Sequence, residues 1–239
     1  MRILCIIPVR GGSKGLPRKN AAEIRDGVSL LEWTIQQAHA VYPMDDVIVS
    51  TEDSELASIA ELAGARVVDR PIELARDETA TASVVDDILE RLDPEAVHFG
   101  AIAILQVTSP LRITEDISRS IEMIRSGAYD SVVSAYETMS CHPAKLYFLD
   151  LAGDAPVATP VAPSFQHARR QDLPAAYRRN GAIFIVTRRH YAQTGQLWGG
   201  RAGLVIMPEE RSIDIDAASD LKQAREFLDK VITKAEHPP

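Results

Sequence analysis

No dinucleotide fingerprint, no P-loop and no metal-binding histidine or cysteine spacing occurs in this chain. The missing G-x-G-x-x-G argues against a nicotinamide-dependent oxidoreductase. The missing G-x-x-x-x-G-K-[ST] excludes a Walker A phosphate loop. There are only two cysteines, Cys5 and Cys141, and they fit neither a metal nor a redox motif. Cys5 lies in an apolar run and reads as a small core residue. Cys141 has only His142 beside it as a base, a weak case for a nucleophile. The six histidines are scattered, with no HxH or HxxxH. No apolar run approaches the roughly 20 residues that cross a bilayer. The N-terminus lacks the order of a secretory leader, and a cytoplasmic location is the expectation. A net charge of −8 argues against a nucleic-acid surface. It leaves open an anionic small substrate, because the local field of the site decides that.

What is present begins with residues 7–20, IPVRGGSKGLPRKN. They follow the apolar run Ile3-Leu4-Cys5-Ile6-Ile7, which reads as a buried parallel strand. Gly11 and Gly12 let the backbone turn tightly and bring amides close to a ligand. Arg10, Lys14, Arg18 and Lys19 surround that turn, and the first acidic residue is Glu23. Amides and fixed cations after a first strand can hold a polyphosphate. The plainer reading is a basic surface turn.

The 239 residues, 46% hydrophobic and 25% charged, suit one large soluble domain. Strand-like and helix-like runs alternate through residue 135. Strands are expected at 2–7, 46–50, 66–68, 101–105 and 131–135, and helices at 29–41, 53–63, 81–92 and 114–126. Ser29 and Glu32 have capping-box spacing, and Gly64 stops the second helix. Such alternation implies right-handed βαβ crossovers and an α/β, mainly parallel, twisted sheet flanked by helices. Residues 136–178 break the pattern with Pro143, Pro156, Pro160, Pro163 and Pro174. A connection this long is usually functional or reaches a partner. Strands are expected again at 181–187 and 204–207, a helix at 217–228, and a frayed tail.

Further segments bear chemistry. In Ser212-Ile213-Asp214-Ile215-Asp216, an extended backbone points both aspartates the same way and both isoleucines to the core. Two carboxylates suit Mg2+ shared with substrate phosphates; the plain reading makes Asp216 a helix cap. LQVTSPLR follows the most apolar strand, where α/β sheets bind ligands, and Thr114 is expected to cap the next helix. Arg70, Asp77, Thr79 and Thr81 form a loop in which the arginine can clamp a phosphate or base edge; taken alone, the loop reads as an ordinary helix cap at Thr79 or Thr81. Arg169, Arg170, Arg178 and Arg179 favour an anion, most naturally a carboxylate.

These segments, with RPIELARDETAT and RRQDLPAAYRRNGAIF, occur in an order that resembles the CMP-sialic acid synthetases, or N-acylneuraminate cytidylyltransferases, including the CMP-legionaminate type. The resemblance spans about residues 3–228. It implies a Rossmann-like nucleotidyltransferase fold, a single domain over 1–239, a Mg2+ requirement, and a homodimer in which the 136–178 extension completes the neighbour's site. It implies that Arg10 and Lys14 contact the CTP phosphates, helped by Gly11, Gly12 and Ser13. Asn20, Arg70 and Thr81 would recognise cytidine. Gln106, Lys145, Arg170, Arg178, Asn180 and Phe184 would bind the sugar, with Lys145 and Arg170 on its carboxylate. Asp214 and Asp216 would hold the metal. Catalysis would rest on Arg10, Lys14 and Asp216, with the proton acceptor open between Asp216 and a hydroxide at the metal. Gly15 stands where pseudaminate enzymes often carry arginine, which leans towards sialate- or legionaminate-type sugars. The alternatives are a pseudaminate or 3-deoxy-manno-octulosonate cytidylyltransferase and a silent nucleotide-sugar binding module. The chain is expected to lack the phosphatase-like domain of some relatives.

Overall fold

The computed structural model describes residues 1–13, 15–153 and 155–236, with the backbone alone at 229 and 231–236. Ile3–Pro8 forms β1, and a short hairpin of β2 (Glu23–Arg25) and β3 (Val28–Ser29) follows. Then come α1 (Leu30–His39), β4 (Val47–Thr51), α2 (Ser54–Leu62), β5 (Arg66–Asp69) and α3 (Thr81–Leu92). Next are β6 (Ala101–Leu105), α4 (Thr114–Arg125) and β7 (Ser131–Glu137). The extension carries β8 (Tyr147–Asp150) and β9 (Val157–Pro160). The chain closes with β10 (Tyr177–Thr187), α5 (Arg188–Thr194), β11 (Ala202–Ile206) and α6 (Ala218–Glu236).

Seven strands form one sheet in the order β11-β7-β10-β6-β1-β4-β5. Only β10 runs antiparallel to its neighbours. The central strands β1, β4 and β6 are buried on both faces, as near-continuous apolar strands require. Ile3, Cys5 and Ile7 of β1 face a core built with α1, α2, α4 and α6. Leu4 and Ile6 face the opposite core, built with Val85, Ile88 and Tyr191 of α3 and α5.

Local chemistry sets the helix ends. Ser29 Oγ accepts from Glu32 N at 3.1 Å, the capping contact that the spacing predicts. Asp53 Oδ1 accepts from the amides of Glu55 and Leu56, both at 3.0 Å. The expected cap at Thr114 is not used: Asp116 Oδ2, one turn inside α4, accepts from Ile113 N at 3.0 Å. Asp216 does not cap α6 either. Asp220 Oδ2 reaches back to the amides of Asp216 (3.0 Å) and Ala217 (2.8 Å). The β2–β3 hairpin and α5 are additions to the sequence expectation; both are too short to show a clear period.

β1 lies between β4 and β6. The chain builds β4 and β5 on one side of β1 and then crosses to β6 on the other. The crossover reverses the winding, and a crevice opens beyond the carboxyl ends of β1 and β6, where open α/β sheets take ligands.

At the opposite end of the sheet Asp93 closes the α3–β6 connection. Its side chain accepts from the amides of Val97 (2.9 Å), His98 (3.0 Å) and Phe99 (3.2 Å). Burial alone would raise its pKa, but the three amides together hold it below the ordinary carboxylate value. A carboxyl depressed in the folded state stabilises above its unfolded pKa and loses that contribution as the pH falls through the folded pKa. Asp93→Asn is therefore expected to cost about 2 kcal/mol at neutral pH. The difference should shrink as the pH falls below the ordinary carboxylate range, and urea unfolding at pH 7 and near pH 3 checks it.

The expected break at 136–178 narrows to 138–176, because β7 runs to Glu137 and β10 starts at Tyr177. His142 fixes the base of this extension. Its Nδ1 accepts from Ala144 N at 3.1 Å, and its Nε2 meets Pro174 O at 3.0 Å. Both ring nitrogens are occupied, so His142 is not a base for Cys141.

Candidate active site

Two adjoining cavities open beyond the carboxyl ends of β1 and β6. The smaller, about 490 Å³, is walled by the loop after β1 (Arg10, Ser13, Gly15, Lys19, Asn20), by Arg70 after β5 and by Thr81 at the start of α3. The larger, about 1070 Å³, is walled by Arg178, Arg179, Asn180 and Phe184 of β10, by Trp198 and by Asp214. Thr81, Gln106 and Asp216 line both. The arrangement is a two-room site with a common neck: cations line the smaller room, and aromatics, arginines and three aspartates, Asp214, Asp216 and Asp220, line the larger.

Carboxylates from distant elements engage the cations of the first loop. Arg10 Nη1 lies 2.5 Å from Asp77 Oδ1. Arg18 pairs with Asp53 and Glu55. Lys19 Nζ donates to Ile215 O at 2.6 Å and lies 3.3 Å from Asp216 Oδ1. Lys19 thereby ties the loop after β1 to the segment bearing both aspartates. A Cβ on Gly15 would sit 2.3 Å from Asp216 O, so the two backbones touch there. Asn20 is buried and its Nδ2 donates to Arg10 O at 2.9 Å, which braces the turn. Gly11 donates its amide to Glu52 Oε1 at 2.8 Å and lines neither large cavity, and Gly12 lines neither.

Arg70 is buried, with Nη2 donating to Ser50 O at 2.6 Å and Nε to Ser50 Oγ at 3.2 Å. Burial lowers its pKa, and the charge of Arg10 adds to that. Arg112, the arginine of LQVTSPLR, is wholly buried. It donates to Ala182 O (2.8 Å), Gln37 Oε1 (3.0 Å) and Gln106 O (3.1 Å), joining the end of β6 to β10. Burial pulls it down to about 10, and it stays protonated at neutral pH.

The pairing of β10 with β7 shifts register between Arg179 and Phe184, and Gly181 has φ +79°. The bulge suspends the strict alternation of side chains. Arg178, Arg179, Asn180 and Phe184 can therefore all line one cavity. Asn180 is saturated by Ser134 Oγ (2.6 Å), Ser212 Oγ (2.9 Å) and Ala182 N (3.2 Å), and it acts as a hub joining β7, β10 and the 212–216 segment. Asp214 and Asp216 share the larger cavity wall, while Ile215 is buried beneath them as the alternation predicts. Asp214 stays open to the cavity, yet the surrounding wall desolvates it and raises its pKa. A hydrogen bond from Thr108 offsets part of that rise, and the charge of Asp216 adds to it.

A profile of the cytidylyltransferase family matches residues 4–232. The chain belongs to the cytidylyltransferase family. Relatives of this cytidylyltransferase include an N-acylneuraminate cytidylyltransferase of Streptococcus agalactiae serotype V. That protein is 32% identical over 222 residues, which are 92% of this chain and 52% of the relative. The post-translational flagellin modification protein B of Campylobacter coli is 32% identical over 233 residues, 95% of each chain. This cytidylyltransferase thus spans about half the length of the N-acylneuraminate relative and nearly all of the flagellin modification protein. Among solved structures, a CMP-2-keto-3-deoxy-manno-octonic acid synthetase complexed with CTP superposes with a TM-score of 0.70 at 16% identity. The match covers 97% of this chain and 100% of that one, and it establishes the shared fold. Among the described residues, no helix is long and apolar enough to cross a membrane.

Of the residues expected at the site of this cytidylyltransferase, Arg10, Ser13, Asn20, Arg70, Thr81, Gln106 and Asp216 border the smaller cavity. Arg178, Asn180, Phe184 and Asp214 border the larger. Lys14 lies outside the described residues. Lys145 and Arg170 are exposed on the extension and reach neither cavity within one chain. Sequence reasoning placed Lys19 only in a cationic cluster, although it stands beside Asn20 in the same motif. It placed Arg179 only in the arginine cluster, and it missed Gln196, Leu197 and Trp198, because they follow no periodic run.

Proposed function

We propose that this cytidylyltransferase activates an acidic nine-carbon sugar of the N-acylneuraminic or legionaminic type with CTP, giving the CMP-sugar and pyrophosphate. The observation that carries the reading is the pair of cavities meeting at Thr81, Gln106 and Asp216. A cation-lined room suits a triphosphate, and the larger room suits a bulky polyhydroxy acid. The neck is where the α-phosphorus and an attacking hydroxyl would meet. The similarity to the N-acylneuraminate cytidylyltransferase of Streptococcus agalactiae supports the same substrate class.

Arg10 and Lys19 would bind the nucleotide phosphates, and Asn20, Arg70 and Thr81 the cytidine side. Gln106 would orient the sugar at the neck. The anomeric hydroxyl attacks the α-phosphorus, the bond to the β-phosphate oxygen breaks, and pyrophosphate leaves with the displaced electron pair. Asp216, the one carboxylate among the described residues that lines both rooms, is the group placed to take the hydroxyl proton. Asp214 and Asp216 stand on one cavity wall, where desolvation raises the pKa of Asp214 and the charge of Asp216 adds to that rise. The donor set therefore fits Mg2+, with Asp214 and Asp216 as the chain's ligands. When bound, the cation would neutralise charge on the phosphates.

Lys145 and Arg170 act in this reading across a homodimer. Support comes from the β8–β9 hairpin, which is exposed on both faces yet carries Tyr147, Phe148, Leu149 and Val157, each more than half exposed. A lone two-stranded hairpin is marginal in water, and an apolar one invites a partner surface. The enzyme would act in the cytoplasm, in keeping with two unpaired cysteines.

The test is pyrophosphate release with CTP and Mg2+ against N-acetylneuraminate, legionaminate, pseudaminate and 3-deoxy-manno-octulosonate. Turnover with either of the first two is expected. Turnover with none of the four, despite CTP binding, sinks the reading in favour of a silent binding module. Arg170→Ala should raise KM for the sugar about 10-fold or more and leave KM for CTP unchanged. An effect confined to CTP would refute the assignment of Arg170 to the sugar. Light scattering should give the mass of two chains.

A further inference from the structure

The larger cavity holds a feature that the reading above does not use. The Arg179 guanidinium stacks over the Trp198 ring, with Cζ 3.8 Å from the ring centre. Arg179 has no hydrogen-bond or ion-pair partner among the described residues, although it is exposed to the cavity and surrounded by polar groups. A guanidinium stacked by its face on indole keeps its N–H edges free in its own plane. Stacking also removes much of the rotamer freedom that an arginine would lose on binding.

The platform under it is built in. Ser131 Oγ donates to Gly199 O at 2.8 Å and accepts from Gly199 N at 3.0 Å. Asp130 Oδ2 accepts from Arg201 N at 2.9 Å. These bonds clamp both sides of the turn after Trp198 to the start of β7. Gly199 and Gly200 have φ of +133° and +60°, and a Cβ on Gly200 would meet Asp130 Oδ2 at 2.7 Å. The turn is therefore held in a backbone conformation that keeps the indole against the cavity wall.

Arg179 and Trp198 line only the larger room and are absent from the neck. They would meet a part of the sugar away from the reacting hydroxyl. We infer that Arg179, posed by Trp198, is a specificity-determining residue whose N–H edges donate to the carbonyl oxygen of an acylamino substituent on the sugar. The inference rests on the proposed sugar class. Fixed donors without a protein acceptor discriminate strongly against a substrate lacking the matching acceptor. A hydroxyl in place of the acylamino group leaves the oxygen nearer the ring and out of line with the posed edge.

The experiment compares the unsubstituted protein with Arg179→Ala and Trp198→Leu, at saturating CTP and Mg2+. The probes are N-acetylneuraminate and its analogue with a hydroxyl in place of the acetamido group. Arg179→Ala should lower kcat/KM for N-acetylneuraminate at least 10-fold and change that for the hydroxyl analogue less than 3-fold. Trp198→Leu, which removes the platform and leaves the cation, should give the same direction with a smaller loss. Equal losses for both sugars would show a general charge effect and overturn the inference, as would no loss for either. KM for CTP should not move; a change there would also overturn it. Absence of turnover by the unsubstituted protein with both sugars would defeat the proposed sugar class and this inference together, whereas normal wild-type turnover with an unselective Arg179→Ala defeats this inference alone.

Discussion

Asp216→Ala is expected to lower kcat by about a thousand-fold, or about 4 kcal/mol of transition-state stabilisation. Three roles converge on this residue. It lines both cavities, it pairs with Lys19 at 3.3 Å, and it raises the pKa of Asp214 by its charge. Its removal takes away charge at the neck and one partner of Lys19, which keeps its bond to Ile215 O. The side chain is 80% exposed, so little stability depends on it. Steady-state pyrophosphate release across a Mg2+ series, beside thermal unfolding, separates the effects. Activity within tenfold of the parent would remove Asp216 from both the metal and the proton-transfer roles.

Gly15→Ala should cost about 100-fold in kcat/KM for CTP, which is about 2.7 kcal/mol. The reason is steric and backbone-to-backbone. The added methyl would lie 2.3 Å from Asp216 O and 3.4 Å from its carbonyl carbon. No side-chain rotation relieves that contact, so the loop after β1 must move away from the 212–216 segment. Lys19, which holds the same junction through Ile215 O, would be displaced with it. A misplacement of this kind reaches catalysis more than folding, because the loop lies at the rim of the sheet. Kinetics at varied CTP with a urea titration should show the imbalance, and an unchanged KM and kcat would show that the loop absorbs the methyl freely.

Much of the fold was legible because buried strands and amphipathic helices announce themselves by composition and period. AIAIL at 101–105 is buried at every position, and TASVVDDILERL forms α3 from Thr81 to Leu92 as expected. Caps were less legible. A cap depends on which side chain reaches the free amides, and Asp116 and Asp220 act from inside their helices where a polar residue before the helix was expected. The short α5 and the turn carrying Trp198 lack any period, so the part of the larger cavity's wall from 195 to 198 stayed hidden.

The candidate site divides in the same way. The order of its segments along the chain already identified the cation-rich turn, the LQVTSPLR loop and the paired aspartates. The sequence by itself determined the chemistry on offer: fixed cations after the first strand, two aspartates two residues apart, and a cluster of arginines near residue 170. Only the tertiary structure decided which of these meet. The crossover from β5 to β6 sets Arg10, Arg70 and Gln106 around one crevice, and the bulge in β10 turns four side chains to one side. Lys145 and Arg170 remain outside on the extension. Residues far apart in sequence are brought together by strand order and backbone irregularity, and neither has a local signature.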